Sequence, residues 1–432
     1  MDSNQQLATR LAAAVPRGIS IATGLFAARA ENADLWDVEG RRYIDFAGGI
    51  AVQNIGHRHP RVLAAVRAQL DAFTHTCFQV VPYEVYLRLA ERLARLAPGS
   101  APKKVMFLST GAEAIENAVK IARAATGRPA IISFTGGFHG RTMMALALTG
   151  KIHPYKEGFG PFPADVFHAP FPDLYRAIGT AGPLSGIEAL FRSSVEPTRV
   201  AAIVIEPVQG EGGFNVAPYE FLRALRELCD RHGILLVADE IQTGFGRTGK
   251  MFAIEHSGVV PDLIAIAKAI GGGFPIAGVI GRADIMDAPA PGGLGSTFAG
   301  SPIACAAGLA VLDVIEQEGI LARAQKLGEH LAARLARFRD DARFGCIGDV
   351  RGLGPMLAME FVKDRASKEA APELAKAITT RATERGLIVL SCGIYGNVIR
   401  MLPPLTASLE LVDEGLAILE ASIADAVAQR PV

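Results

Sequence analysis

Three short apolar runs, each ending in an ionisable residue, constrain this chain more than any other feature. They are Ile203-Val204-Ile205-Glu206, Leu236-Val237-Ala238-Asp239 and Ala265-Ile266-Ala267-Lys268. Each closes an uninterrupted apolar stretch, at 200–205, 234–238 and 263–267. Unbroken runs of that length suit strands of a parallel sheet covered on both faces, because a solvated face would impose alternation. Tyr219–His232 lies between the first two, with a helical spacing of apolar residues that stops at Gly233.

The same alternation of strand and helix starts near residue 56. Residues 104–108 and 130–134 read as strands, and 82–96 and an alanine-rich stretch to 125 as helices. Upstream, 35–38 and 42–45 flank Glu39-Gly40 as a short hairpin. Beyond residue 315 the texture changes to helices at 321–338, 372–385 and from 409, with strands at 356–361, 387–390 and 398–402. A chain of 432 residues exceeds what one small core supports. The expectation is an α/β protein in three parts. Residues 1–55 contribute to a small domain and the active-site mouth, 56–314 form a large domain with a mainly parallel central sheet flanked by helices, and 315–432 form a smaller α+β domain.

Composition excludes several classes of partner. The 44 basic and 44 acidic side chains cancel, so nothing points to nucleic acid or an anionic membrane. No run of apolar residues is long enough to predict a membrane span. Cys77, Cys229, Cys305, Cys346 and Cys392 are scattered and form no C-x-x-C pair, which fits reduced thiols in the cytoplasm better than disulfides or zinc. The first twenty residues lack the basic and long apolar regions of a secretory signal and read as a short helix, with an organelle-import leader the weaker reading. His57 and His59 stand two apart without nearby acids and read as loop residues, so no metal site is expected.

Ligands of open α/β sheets bind beyond the carboxyl ends of the strands, where Glu206, Asp239 and Lys268 fall. One such charge alone would ordinarily mark the chain reaching solvent. Three on neighbouring strands, an acid and a base among them, point to a site. The set suits pyridoxal 5′-phosphate (PLP). A lysine amine in apolar surroundings sheds its proton and can attack an aldehyde. A carboxylate such as Asp239 can keep the pyridine nitrogen protonated, so that the ring draws electrons. Ser109-Thr110-Gly111-Ala112 lies at a strand-to-helix turn, where Gly111 permits close approach and the helix dipole favours a phosphate. Phe138, after Gly136-Gly137, can stack on the ring.

Two long motifs carry a family resemblance: the stretch from Leu236 through Asp239-Glu240-Ile241-Gln242-Thr243-Gly244 to Gly249, and Lys268-Ala269-Ile270-Gly271-Gly272-Gly273-Phe274-Pro275. With Gly295-Ser296-Thr297-Phe298 they resemble class III (ω-type) aminotransferases over nearly the whole chain. That resemblance implies PLP fold type I, a Schiff base on Lys268, and active sites shared by two subunits in a homodimer or a dimer of dimers. By the same similarity Thr297 would reach the phosphate of the neighbouring subunit's cofactor, with Gly111 and Ala112 at the phosphate turn. Gln242 would contact the ring hydroxyl, and Ile241 would pack on the ring face opposite Phe138.

Within the class, Gly48-Gly49-Ile50, His75-Thr76-Cys77-Phe78-Gln79, Phe138-His139-Gly140-Arg141 and Glu206-Pro207-Val208-Gln209-Gly210-Glu211 resemble the 4-aminobutyrate aminotransferases. The implied reaction moves an amino group from 4-aminobutyrate to 2-oxoglutarate by a ping-pong route, giving succinate semialdehyde and glutamate. Arg141 would grip the distal carboxylate of either substrate. Arg400 would take the α-carboxylate of 2-oxoglutarate or glutamate, and Glu211 would neutralise it when that carboxylate is missing. Glu206 would sit near the cofactor, Gln79 at the substrate mouth, and an apolar Ile50 would favour a substrate without an α-amino group. A 5-aminovalerate aminotransferase shares every one of these features. An acetylornithine or ornithine aminotransferase fits Ile50 less well, and a catalytically silent PLP-binding protein fits the Lys268/Asp239 pair less well.

Overall fold

The computed structural model describes residues 2–180, 182 and 184–429. Among them, a seven-stranded sheet has the order Lys103–Leu108, Ala277–Arg282, Leu263–Ile266, Leu235–Asp239, Val200–Ile205, Ala130–Phe134, Val166–Ala169. The last five run parallel, while Ala277–Arg282 is antiparallel to both neighbours. The three apolar runs of the sequence are thus adjacent strands, with their charged ends on one edge.

Two faces of this sheet are covered by helices, which explains why its strands carry no polar alternation. Ile203, Ile205, Leu236, Ala238, Ile264 and Ile266 pack with Leu222, Leu225 and Leu228 of Tyr219–His232. Their neighbours Ala202, Val204, Val237, Leu263 and Ala265 pack on the opposite face with Ile115, Val119 and Ala122 of Gly111–Thr126. Each large apolar side chain so buried contributes roughly 1.5–3 kcal/mol. Gly233 ends the helix at φ 62, the left-handed turn that the sequence predicts there.

Strand Ala277–Arg282 is absent from the sequence reading because Gly278 and Gly281 dilute its apolar signature. The closeness of the neighbouring strand requires one of them: a Cβ on Gly278 would lie 2.6 Å from the Met106 backbone carbonyl oxygen.

Two smaller sheets follow. Ala27–Glu31, Asp34–Asp37 and Arg42–Asp45 form an antiparallel sheet that Leu387–Ile388 joins in parallel. Ile347–Leu353, Met356–Phe361, Val398–Met401 and Leu390–Cys392 form an antiparallel one. The single strand expected over 387–390 therefore breaks at Val389, and its halves serve different sheets. An apolar run does not reveal which partner each half takes. Helix Pro302–Gln317 passes through residue 315, and the next helix spans Ile320–Asp340. No described helix is long and apolar enough to cross a membrane.

Arg247 ties these parts together. It is fully buried, with Nε and Nη2 donating to Asn54 Oδ1 (3.0 and 2.6 Å) and Nη1 to the Pro403 carbonyl (2.8 Å). With no carboxylate among these partners, burial pulls its pKa down to about 9.

Candidate active site

Lys268 stands one residue beyond strand Leu263–Ile266, after Ala267, and opens into a cavity of about 350 Å³ at the carboxyl edge of the sheet. Its backbone has φ 52, a left-handed conformation uncommon for a side chain this long and of the kind that clusters at functional sites. Its amine makes no hydrogen bond or ion pair among the described residues. Burial, aided by the Arg400 guanidinium, holds that amine below the ordinary lysine range, against the opposing pull of Glu211 and Asp239.

Asp239 ends the adjacent strand and is buried in the same cavity. Its Oδ1 accepts from the Ile241 N–H at 3.1 Å, and its Oδ2 lies 2.7 Å from His139 Nδ1. Burial alone would lower the His139 pKa, but the Asp239 carboxylate raises it above the usual value. An imidazole in this position can donate to Asp239 and fix the orientation of its carboxylate. In the sequence His139 is one residue of a motif with no sign of this role, because 100 positions separate it from its partner. Glu206 accepts from the Phe138 and Gly210 N–H groups, and burial pushes its pKa up to about 7.

The phosphate turn has the geometry of an anion site. Thr110 caps helix Gly111–Thr126, and Glu113 takes the N–H groups of Ser109 and Thr110 at 3.0 and 2.9 Å. The N–H groups of Gly111 and Ala112 lie in the first turn, where the helix supplies no acceptor. A Cβ on Gly111 would come within 3.0 Å of Ile241 Cδ1, so the turn is pressed against the cavity wall. Phe138, Ile241 and Gln242 line the same cavity, and Gln242 Oε1 is buried without a hydrogen-bond partner. An amine, a buried carboxylate, free phosphate donors and an unused amide oxygen around one cavity fit PLP.

A channel of about 1350 Å³ leads from Lys268 past Ile50, Arg141, Glu211 and Arg400. Arg400, on strand Val398–Met401, is buried and pairs through Nη1 with Glu211 Oε1, while its Nε has no partner. Arg141 is exposed and forms no ion pair among the described residues. Ile50 lies in a left-handed turn at φ 63 and is 41% exposed.

Gln79 and Thr297 behave differently. Both are exposed, and neither lines the cavity or the channel of its own chain. Gln79 instead donates to the Leu294 carbonyl at 3.2 Å, near Ser296. His57 and His59 pair with separate carboxylates, Asp45 and Glu318. The five cysteines are free thiols.

Comparison with known proteins decides the class. The family described as aminotransferase class-III matches residues 17–423. The chain belongs to this family. The aminotransferase is 55% identical to the 5-aminovalerate aminotransferase DavT of Pseudomonas aeruginosa, over 96% of this chain and 97% of that protein. It is 52% identical to the 4-aminobutyrate aminotransferase GabT of Escherichia coli K12, over 97% and 98%. Among solved structures it superposes with TM-score 0.87 and 29% identity on the ornithine aminotransferase of Toxoplasma gondii, described with partial PLP occupancy, covering 99% and 96% of the two chains. The α/β architecture expected as PLP fold type I is thus met, with a mixed central sheet and separate smaller sheets. Membership of this class implies PLP as the cofactor, and the residues gathered here suit it.

Proposed function

We propose that this aminotransferase transfers the amino group of 4-aminobutyrate to 2-oxoglutarate, releasing succinate semialdehyde and glutamate in two alternating half-reactions. The observation that carries this reading is the Arg400–Glu211 pair beside Lys268, with Arg141 exposed in the same channel. An ω-amino acid brings one carboxylate and 2-oxoglutarate brings two, so one arginine must be neutralised in alternate turns. Arg141 binds the distal carboxylate of both substrates. Glu211 covers Arg400 in the first half-reaction and leaves it for the α-carboxylate in the second.

Bound PLP supplies an aldehyde that exchanges amines and a ring that takes up electrons from the substrate carbon. Lys268 holds the cofactor at rest, and its amine then carries a proton to and from the substrate carbon. Asp239, oriented by His139, holds the proton on the ring nitrogen. Gly111 and Ala112 would hold its phosphate, Phe138 and Ile241 would flank its ring, and Gln242 would meet its hydroxyl, with Glu206 lining the same cavity.

A second copy completes the site. Thr297 and Gln79 lie outside their own cavity, and their neighbourhood is apolar and exposed, with Val80 at 74% and Phe298 at 64%. The His75 and Phe298 rings pack there at a tilt, with centroids 4.8 Å apart. These features support a homodimer, or a dimer of dimers, in which Thr297 reaches the partner's phosphate. The free thiols support a cytoplasmic enzyme. The site draws Ile50, Lys268 and Arg400 from three segments, which we take as 1–55, 56–314 and 315–432.

5-Aminovalerate is the second reading, favoured by the likeness to DavT. It is one methylene longer, a difference of about 1–3 kcal/mol in such pockets. The test is kcat/KM for 4-aminobutyrate, 5-aminovalerate, β-alanine and N-acetylornithine, each with 2-oxoglutarate and with pyruvate. Either short ω-amino acid should lead with 2-oxoglutarate. Dominant turnover of N-acetylornithine, or of pyruvate as acceptor, would overturn the proposal.

A further inference from the structure

Tyr155 stands between the groups to which substrate binding is assigned. Its hydroxyl donates to Glu211 Oε2 at 3.3 Å, on the carboxylate that pairs with Arg400. Its ring centre lies 5.1 Å from Arg141 Cζ and 4.9 Å from the Phe138 ring. Burial, with the charge of Glu211, pushes the phenol well above its ordinary pKa, so it remains a donor. The main chain of Glu211 is fixed separately, because its carbonyl accepts from the Gly393 N–H at 2.9 Å. The position of the carboxylate is therefore left to Arg400 and Tyr155.

We propose that Tyr155 is a positioning residue coupling the two arginines: its hydroxyl holds Glu211 on Arg400 while its ring backs the Arg141 guanidinium. This rests on the two-arginine reading above. Hydroxyl and ring then have separable effects. The hydroxyl stabilises the state in which Arg400 is covered, so its loss favours ligands with two carboxylates over ligands with one. The ring face supports a cation by its quadrupole, and both ligand types use that cation, so loss of the ring weakens both.

The experiment uses holoenzyme carrying Tyr155→Phe, Tyr155→Ala, Glu211→Ser, or Tyr155→Phe with Glu211→Ser. Binding of glutarate (two carboxylates) and butyrate (one) is measured by calorimetry, beside the KM of each half-reaction. Tyr155→Phe should tighten glutarate relative to butyrate about fivefold, the worth of one net hydrogen bond. It should do nothing further once Glu211 is serine, and Tyr155→Ala should weaken both ligands. An equal effect of Tyr155→Phe on both ligands, or one that persists without Glu211, overturns the role of Tyr155 and leaves the switch standing. No change in the glutarate-to-butyrate ratio with Glu211→Ser removes the switch itself, and the proposal with it.

Discussion

Glu211 and Arg400 lie 189 positions apart and close on each other in a buried ion pair that leaves Arg400 Nε without a partner. Burial would raise the Glu211 carboxyl, but Arg400 holds it below the usual range, so both members stay charged. A buried donor left unused is costly, and a ligand carboxylate that forks across Nε and Nη would relieve it. The pair is thus closed by the chain's own acid without being saturated by it.

Replacing Glu211 with serine should expose this asymmetry. Loss of one partner from a buried pair costs about 3–5 kcal/mol, and here it falls on the substrate that brings no α-carboxylate. The KM for 4-aminobutyrate should rise at least about tenfold, with the KM for glutamate unchanged or lower. Stopped-flow traces of the separate half-reactions give both values, and equal losses would count against the switch.

His139→Leu should lower kcat about 10–100-fold, the range of a hydrogen bond to a charged group. His139→Asn keeps a donor near the position of Nδ1 and should recover part of the loss. A leucine variant with unchanged kcat and an unchanged cofactor spectrum would mean that His139 does not orient Asp239.

Lys268→Met should make the apoenzyme more stable near neutral pH. The folded-state pKa of Lys268 lies below its ordinary 10.5. A base depressed by folding has its full stability only above the unfolded value and loses it as pH falls through the folded one. At pH 7 the parent bears that penalty and the methionine variant does not. The difference in Tm should shrink as pH rises toward 10.5; a variant melting below the parent at pH 7 would refute this cost.

Ile50 is β-branched at φ 63, a strained conformation worth about 1–3 kcal/mol. Ile50→Gly should therefore melt at a higher temperature than Ile50→Ala, although glycine ordinarily costs about 0.5–1 kcal/mol more than alanine in chain entropy. The reverse order would show that the turn is unstrained. Both truncations widen the channel and should shift preference toward 5-aminovalerate.

The sequence made the sheet legible because burial on two faces leaves a local trace: unbroken apolar runs at 200–205 and 263–266, each closing at the site edge. Lys268, Asp239, Glu206, Ile241, Gln242 and Phe138 do share one cavity. What escaped has no local trace. His139 finds Asp239 across 100 positions, and Tyr155 finds Glu211 across 56. Strand Ala277–Arg282 hides behind two glycines, one of them required by its neighbour. The break at Val389 depends on two partners at once, one in the N-terminal sheet and one in the C-terminal sheet.

The distance of Thr297 from the cavity of its own chain reaches into genetics. If each site is assembled from two subunits, as proposed, a Lys268 defect and a Thr297 defect carried on different chains fall on the same site of a mixed dimer. In a mixed dimer one site collects both lesions and the other none. Two alleles, each crippled alone, should then complement when co-expressed, a behaviour closed to an enzyme whose site is folded from a single chain.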